Sequence, residues 1–278
     1  FTMKIGYPDK WENYSELNIK STDTPYTMHK KLIEFHYNKE FMEKINKPVD
    51  KTEWHMSPQT VNAYYNPLLN EIVFPAAILQ PPFYVPDMNS VDIDVDKTDT
   101  SLKKPINYGS ICAVIAHEIT HGFDDKGCKF DAYGNMKNWW TDEDMQLFKS
   151  RAHVMHEQAL NHNYTDSKGN VYTMNPTLTM GENLADLGGM TLSLKAMISD
   201  PDIKLTKKVL QVFFMSFANI WKRHMKEEQR INRITSDPHA PAEYRANLVN
   251  NIDEFYDAFN ITPDDDMYLP PKKRVRMW

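Results

Sequence analysis

One stretch limits the possible folds more than any other. Ile111-Cys-Ala-Val-Ile-Ala116 is apolar at almost every position and runs directly into His117-Glu-Ile-Thr-His121. A helix that is hydrophobic all round belongs in a core. The pattern predicts a buried helix over residues 108–123, with Gly122 as its terminator. Histidines at i and i+4 share one helix face, so both imidazoles can reach one point. Glu118 points into the adjacent sector. Imidazoles and a carboxylate inside a core must be paired or coordinated. The ordinary alternative, two exposed histidines on a surface helix, fits the apolar surroundings poorly.

The remaining chain can supply that core. Its 278 residues are 41% hydrophobic and 25% charged, which suits one large globular domain or two small ones. With 32 Lys plus Arg against 38 Asp plus Glu, the net charge of −6 disfavours a nucleic-acid binder. No apolar run approaches the ~20 residues of a membrane span, and the longest candidate, 209–221, is broken by Gln211, Ser216 and Asn219. Cys112 and Cys128 cannot form a disulfide framework. Residues 1–18 are polar and aromatic and do not read as a signal peptide. The chain starts at Phe1 rather than Met, so a fragment or a processed product is expected.

The element pattern is mostly helical. Residues 1–26 read as an irregular lead-in, and residues 28–45 as a helix. Glu71-Ile-Val-Phe-Pro75 reads as a strand stopped by its proline. Residues 81–106, with Pro81, Pro82, Pro86 and an acidic stretch, read as a long surface loop. Thr141 opens a helix to about residue 162. Thr179-x-x-Glu182 resembles a capping box for a helix to about residue 199. One long helix is expected over 206–233, and a last helical region over 241–259. The sum is a single α-rich α+β domain.

Zinc suits imidazole ligands, and a catalytic zinc needs three protein ligands and one open position. Glu182 and Asp186 stand at i and i+4 on another predicted helix, on one face. Either carboxylate could bind the metal while the other accepts the free ring N–H of a ligand histidine. A solvated acidic face is the bland alternative, which Leu184, Leu187, Gly188 and Gly189 make less apt. Asp124 is a further acceptor for such an N–H. Asp124 and Asp125 could equally be surface acids past a helix end.

Four segments taken together carry a family resemblance: His117-Glu-Ile-Thr-His-Gly-Phe-Asp124, Gly181-Glu-Asn-Leu-Ala-Asp186, Val61-Asn-Ala-Tyr-Tyr65 and Ile72-Val-Phe-Pro-Ala-Ala-Ile-Leu-Gln-Pro-Pro-Phe83. In this order they resemble the neprilysin family of zinc endopeptidases, which includes endothelin-converting enzymes and bacterial endopeptidase O proteins. The likeness runs from the lead-in to Trp278. It implies a thermolysin-like zincin catalytic domain with a small sheet over 1–278. Residues 1–26 would lead in from an upstream helical domain, a partner absent from this chain.

The resemblance also implies roles. One Zn2+ ion would be held by His117, His121 and Glu182. Glu118 would be the general base toward an activated water. Asp186 and Asp124 would orient His117 and His121. His239 would stabilise the oxyanion, so that Glu118, His239 and Asp186 form the catalytic set. Asn62 and Ala63 would bind the backbone of a peptide substrate as an added strand. Arg245 would bind a substrate carbonyl, and Ile78, Phe83, Val114 and Trp221 would receive an apolar side chain after the scissile bond. Without the resemblance these read as a turn asparagine, a loop histidine, a surface arginine and core packing.

The implied activity is hydrolysis of oligopeptides. Two alternatives stand beside it: a zinc protein that holds peptides without cutting them, and a peptide-binding fragment inactive without its upstream helical domain. The intact Glu118 argues against the first. The sequence also departs from the family. Animal members end in Cys-x-x-Trp, whereas this chain ends in Val275-Arg-Met-Trp278. That missing cysteine, with two expected free thiols, favours a bacterial cytoplasmic member, secretion being the alternative.

Overall fold

The computed structural model describes residues 1–277; Trp278, where the resemblance ends, lies outside the described residues. Two compact units separate. One comprises Tyr7–Pro58, and the other comprises Phe1–Gly6 and everything from Gln59 onward. The larger unit opens with strand β1 (Thr2–Gly6), so the expected irregular lead-in is corrected at its start. The smaller unit contains helix α1 (Pro25–Glu40). Thr24 caps it by accepting from the Thr27 N–H, and Pro25 sits at the first turn, where no N–H is needed. A short 3-10 turn at Met42–Lys44 takes the place of the expected last helical turn.

The sheet of the larger unit adds β2 (Tyr64–Asn66) and β3 (Glu71–Pro75) to β1. Its order is β1-β3-β2, with β1 parallel and β2 antiparallel to the central strand. All five residues of β3 are buried; Ile72, Val73 and Phe74 suit a strand, and the buried Glu71 is paired with Lys4 of β1 at 2.8 Å. β2 is left as an edge. The segment 81–106 was expected to lie on the surface. It instead buries Val85, Met88, Val91, Leu102 and Ile106 around Val212, making a small core of its own. The prolines fix its irregular path but do not keep its apolar residues out.

The helix that carries the His-Glu-x-x-His motif begins earlier than expected and changes pitch. It comprises α2 (Lys103–Asn107), a wide π turn at Tyr108–Cys112, α3 (Ala113–Thr120) and a tight turn at His121–Phe123. At the wide turn the Ile106 carbonyl accepts from the Ser110 and Ser216 hydroxyls, at 2.9 and 2.8 Å. α4 (Asp142–Leu160) starts at the Thr141 cap, whose oxygen accepts from the Asp144 N–H at 3.1 Å, with three acids in its first turn. A hairpin, β4 (Asn163–Thr165) and β5 (Val171–Thr173), follows.

α5 (Met180–Ser199) lies along α3. Gly189 permits the contact: a Cβ there would fall 2.5 Å from the Ala113 carbonyl oxygen and 2.9 Å from the His117 nitrogen. The expected long helix over 206–233 is broken into α6 (Lys207–Ile220) and α7 (Glu227–Ser236). Trp221 ends α6, held in a stack against Arg245. α8 (Ala242–Asn247) and α9 (Asp253–Phe259) follow, and a short 3-10 turn at Pro271–Lys273 lies in the tail. The main core gathers Met155, Leu184, Met190, Met197, Phe213 and Phe217, and a second cluster of Ile72, Phe74, Ile78, Val114 and Ile220 ties the sheet to α3 and α6.

Candidate active site

α3 and α5 place four functional side chains against one another. His117 Nε2 and His121 Nε2 face each other at 3.0 Å. Glu182 Oε2 lies 3.4 Å from the first and 3.7 Å from the second. The outer ring nitrogens point the other way, onto carboxylates. His117 Nδ1 donates to Asp186 Oδ1 at 2.9 Å, and His121 Nδ1 donates to Asp124 Oδ2 at 2.7 Å. A carboxylate only accepts, so each aspartate fixes its ring with the proton on Nδ1 and the lone pair on Nε2. Asp124 is itself held by the Lys126 and Gly127 amides at 2.8 and 2.7 Å. Asp125 is partly buried, with Oδ1 shielded from solvent and without a hydrogen-bond partner.

This geometry fits a cation. Two ring lone pairs converge with a carboxylate oxygen that is shielded from solvent and has no hydrogen-bond partner. One donor atom from each of the three residues lies within 4.8 Å of the other two. Burial alone would lower the His117 pKa, but Asp186 and Glu182 outweigh it and raise it to about 10, so a proton sits on the inward Nε2 until a cation displaces it and frees the lone pair. Burial opposes ionisation of Glu182, yet His117, His121 and His239 hold its pKa down at about 2. The cluster therefore favours positive charge between its heads, and a divalent ion is a form that three inward donors can share.

The capping box expected at Thr179 does not form. Thr179 makes no side-chain cap; its hydroxyl donates to the Asn175 carbonyl and accepts from Asn183 Nδ2. Glu182 is thereby left to face the histidines. Asp186 is fully buried and bidentate with Arg245, whose Nε and Nη2 both donate at 2.6 Å. Despite its burial, Arg245 and then His117 keep the Asp186 carboxyl far below the ordinary range. Arg245 is not a surface arginine: it is 7% exposed and stacks on the Trp221 ring at 3.6 Å. Glu118 is buried, and burial pushes its pKa up.

A cleft of about 770 Å³ opens over the cluster. Glu118, His239 and Arg245 line it, as do Asn62 and Ala63 next to edge strand β2, and so do Ile78, Phe83, Val114 and Trp221. All the site residues read from the sequence are thus brought together. His239 Nε2 stands 3.3 Å from Glu182 Oε2, and its Nδ1 and backbone N–H both meet Asp237 Oδ1, at 3.0 and 2.8 Å. Asp237, Arg233 and Arg223 were not singled out from the sequence. Asp237 orients His239 and is in turn held by Arg233 at 2.6 Å. The signal was available, since Asp237 stands only two residues before His239 and a carboxylate is a usual acceptor for a histidine ring N–H. Arg223 also lines the cleft, with its pKa lowered by burial and by Arg233 and Arg245. Cys112 and Cys128 are both free.

Two histidines at the end of one buried helix, a carboxylate from the helix packed along it and a cleft beside a sheet edge form a zincin-type arrangement. The sequence matches Peptidase family M13 over residues 62–275, and the chain belongs to that family. It is 40% identical over its whole length to the neutral endopeptidase of Lactococcus lactis subsp. cremoris, covering 40% of that protein. It is 34% identical to human neprilysin over 99% of this chain and 36% of that one. Among solved structures, the Mycobacterium tuberculosis zinc metalloprotease ZMP1 in complex with inhibitor matches all of this chain and 41% of its own, with a TM-score of 0.85 and 41% identity. PepO from Lactobacillus rhamnosis matches 99% of this chain and 40% of its own, with a TM-score of 0.81 and 34% identity. The chain thus spans about two fifths of the relatives it matches.

Proposed function

We propose that this chain is the catalytic portion of a zinc-dependent endopeptidase acting on oligopeptides, with one ion held by His117, His121 and Glu182. The observation that carries this reading is the convergence of two Nε2 lone pairs and an unsatisfied carboxylate oxygen in a cleft that also holds a buried glutamate. The names of its relatives, neutral endopeptidase, neprilysin and zinc metalloprotease, support the same reaction. The remaining three fifths of those relatives are consistent with a further domain as partner. When bound, zinc supplies a Lewis acid that lowers the pKa of water and polarises a carbonyl.

The chain's own residues divide the other work. Glu118 takes the proton of the attacking water and returns it to the leaving amine; its raised pKa brings it nearer to both tasks. His239, steadied by Asp237, donates to the oxygen that gains charge. Asp186 and Asp124 hold the ligand rings in register. Arg245 has Nε and Nη2 committed to Asp186, which leaves Nη1 to reach a substrate carbonyl. Asn62 and Ala63 pair with an extended peptide along the β2 edge, and this backbone recognition suits an endopeptidase. Ile78, Phe83, Val114 and Trp221 take an apolar side chain after the cut.

Zinc content and peptide turnover test the reading together. The protein should bind one zinc at this centre and cut a quenched peptide internally, and chelation should stop the reaction. Tight zinc binding with no turnover of any peptide, in a protein that carries its whole native sequence, would leave only a binding role.

A further inference from the structure

We propose a second transition-metal site on α4, formed by His153, His156 and Glu157 and separate from the candidate catalytic centre. These residues stand at i, i+3 and i+4 of a 19-residue helix, so their heads emerge on one face. One donor atom from each lies within 4.8 Å of the other two. Glu157 Oε1 is 3.8 Å from His156 Nδ1 and 4.0 Å from His153 Nε2. Those gaps are too long for hydrogen bonds. They approach the roughly 3–4 Å that separates ligands bonded to one ion at about 2.1 Å. The two rings are nearly parallel, 17° apart in plane with centroids 6.3 Å apart.

A second observation points to a ligand. His156 Nδ1 is shielded from solvent and has no hydrogen-bond partner. A polar nitrogen left in that condition is unfavourable, and a metal bond would satisfy it. An ion pair between a protonated His156 and Glu157 would not, because 3.8 Å leaves the N–H without an acceptor. Two imidazoles and one carboxylate suit Zn2+, Ni2+ and Cu2+, whereas Ca2+ and Mg2+ prefer all-oxygen sites. Cu2+ should bind tightest of the three, following the ordinary order of divalent affinities. Water would complete the coordination on the solvent side.

Titration calorimetry with zinc chloride on protein already holding one zinc tests this site without reference to activity. The expected result is a second equivalent per chain. Replacing His153→Ala and His156→Ala together should abolish it and leave peptide cleavage unchanged. Each single replacement should weaken it by at least the roughly tenfold that loss of even an outer metal partner costs. Cu2+ added to the zinc-loaded protein should show electron-spin splitting from two nitrogens, absent in the double variant. Thermal melts without added metal check that the double variant is folded. A single equivalent in the parent protein, or a second one that survives in a folded double variant, overturns the proposal.

Discussion

The two clusters are each built of two histidines and a glutamate and differ in what surrounds them. His117, His121 and Glu182 come from two packed helices, and each ring is braced by an aspartate. Their outer partners are themselves held, Asp124 by two amides and Asp186 by Arg245. His153, His156 and Glu157 share one helix, and no aspartate steadies their rings among the described residues. The first cluster is fixed before any ion arrives. The second must fix itself around one, giving up side-chain freedom as it does. Reactive geometry is thus a property of the supporting layer rather than of the ligands alone.

The sharpest way to break the comparison is Glu118→Gln. Zinc should remain bound at one equivalent at the buried centre while peptide turnover falls by a factor of roughly 10²–10⁴, the usual worth of general acid–base catalysis. If the variant still cuts a quenched peptide at the parent rate, the buried cluster has no more chemistry than the exposed one. Asp186→Asn comes next. It strips one brace and leaves Arg245 buried beside a neutral amide, so zinc affinity should drop roughly 10–100-fold. Stability should fall by about 3–5 kcal/mol. Competition with a chelating dye and urea unfolding read the two effects, and an unchanged zinc affinity would mean that the brace is dispensable.

Gly189→Ala tests the helix contact beneath the buried cluster. Its Cβ would meet backbone rather than a movable side chain, so α3 and α5 must part, at a cost of roughly 1–3 kcal/mol. Urea midpoints check this, and a neutral substitution would show that the helices have slack. A smaller effect concerns Cys112, just before α3. Burial pushes its thiol pKa up to about 11. The unfolded chain, with the ordinary thiol value of 9.0, would release that proton first. The stability linked to this thiol is therefore present below pH 9 and lost as pH climbs toward 11. At pH 8 a thiol reagent should label Cys112 slowly in the folded protein and at once in urea. Smallest of all, His153→Ala in metal-free protein should change stability by no more than about 0.5 kcal/mol, as exposed helix positions do.

Much of the site was legible in the sequence because its determinants are local. Histidines four apart, acids four apart and an apolar run are periodic signals that a helix reports directly. Which of Glu182 and Asp186 turns toward the inner histidine nitrogens was not decided locally. It depends on Arg245, which is 59 residues further on and claims Asp186 with two hydrogen bonds. The supposed capping box at Thr179 misled for a related reason, since the glutamate that completes the motif is turned toward the histidines instead. The break after Trp221 has no local signal either. Lys222 to Lys226 carry no helix breaker, and the helix stops where Trp221 meets Arg245 from another element. The β4–β5 hairpin did leave a trace in Asp166-Ser-Lys-Gly169-Asn170, where Gly169 adopts a φ of +85°.

The wide turn at 108–112 sets the rotational phase of everything that follows it. Each residue of a regular α-helix advances the chain by about 100° around the axis. If all five residues of this turn took ordinary pitch instead, the His-Glu-x-x-His motif would stay complete but the chain would overrun by about one residue's rotation. The motif would then be aimed about 100° away from Glu182, so an intact signature could sit in a chain with no metal centre at all.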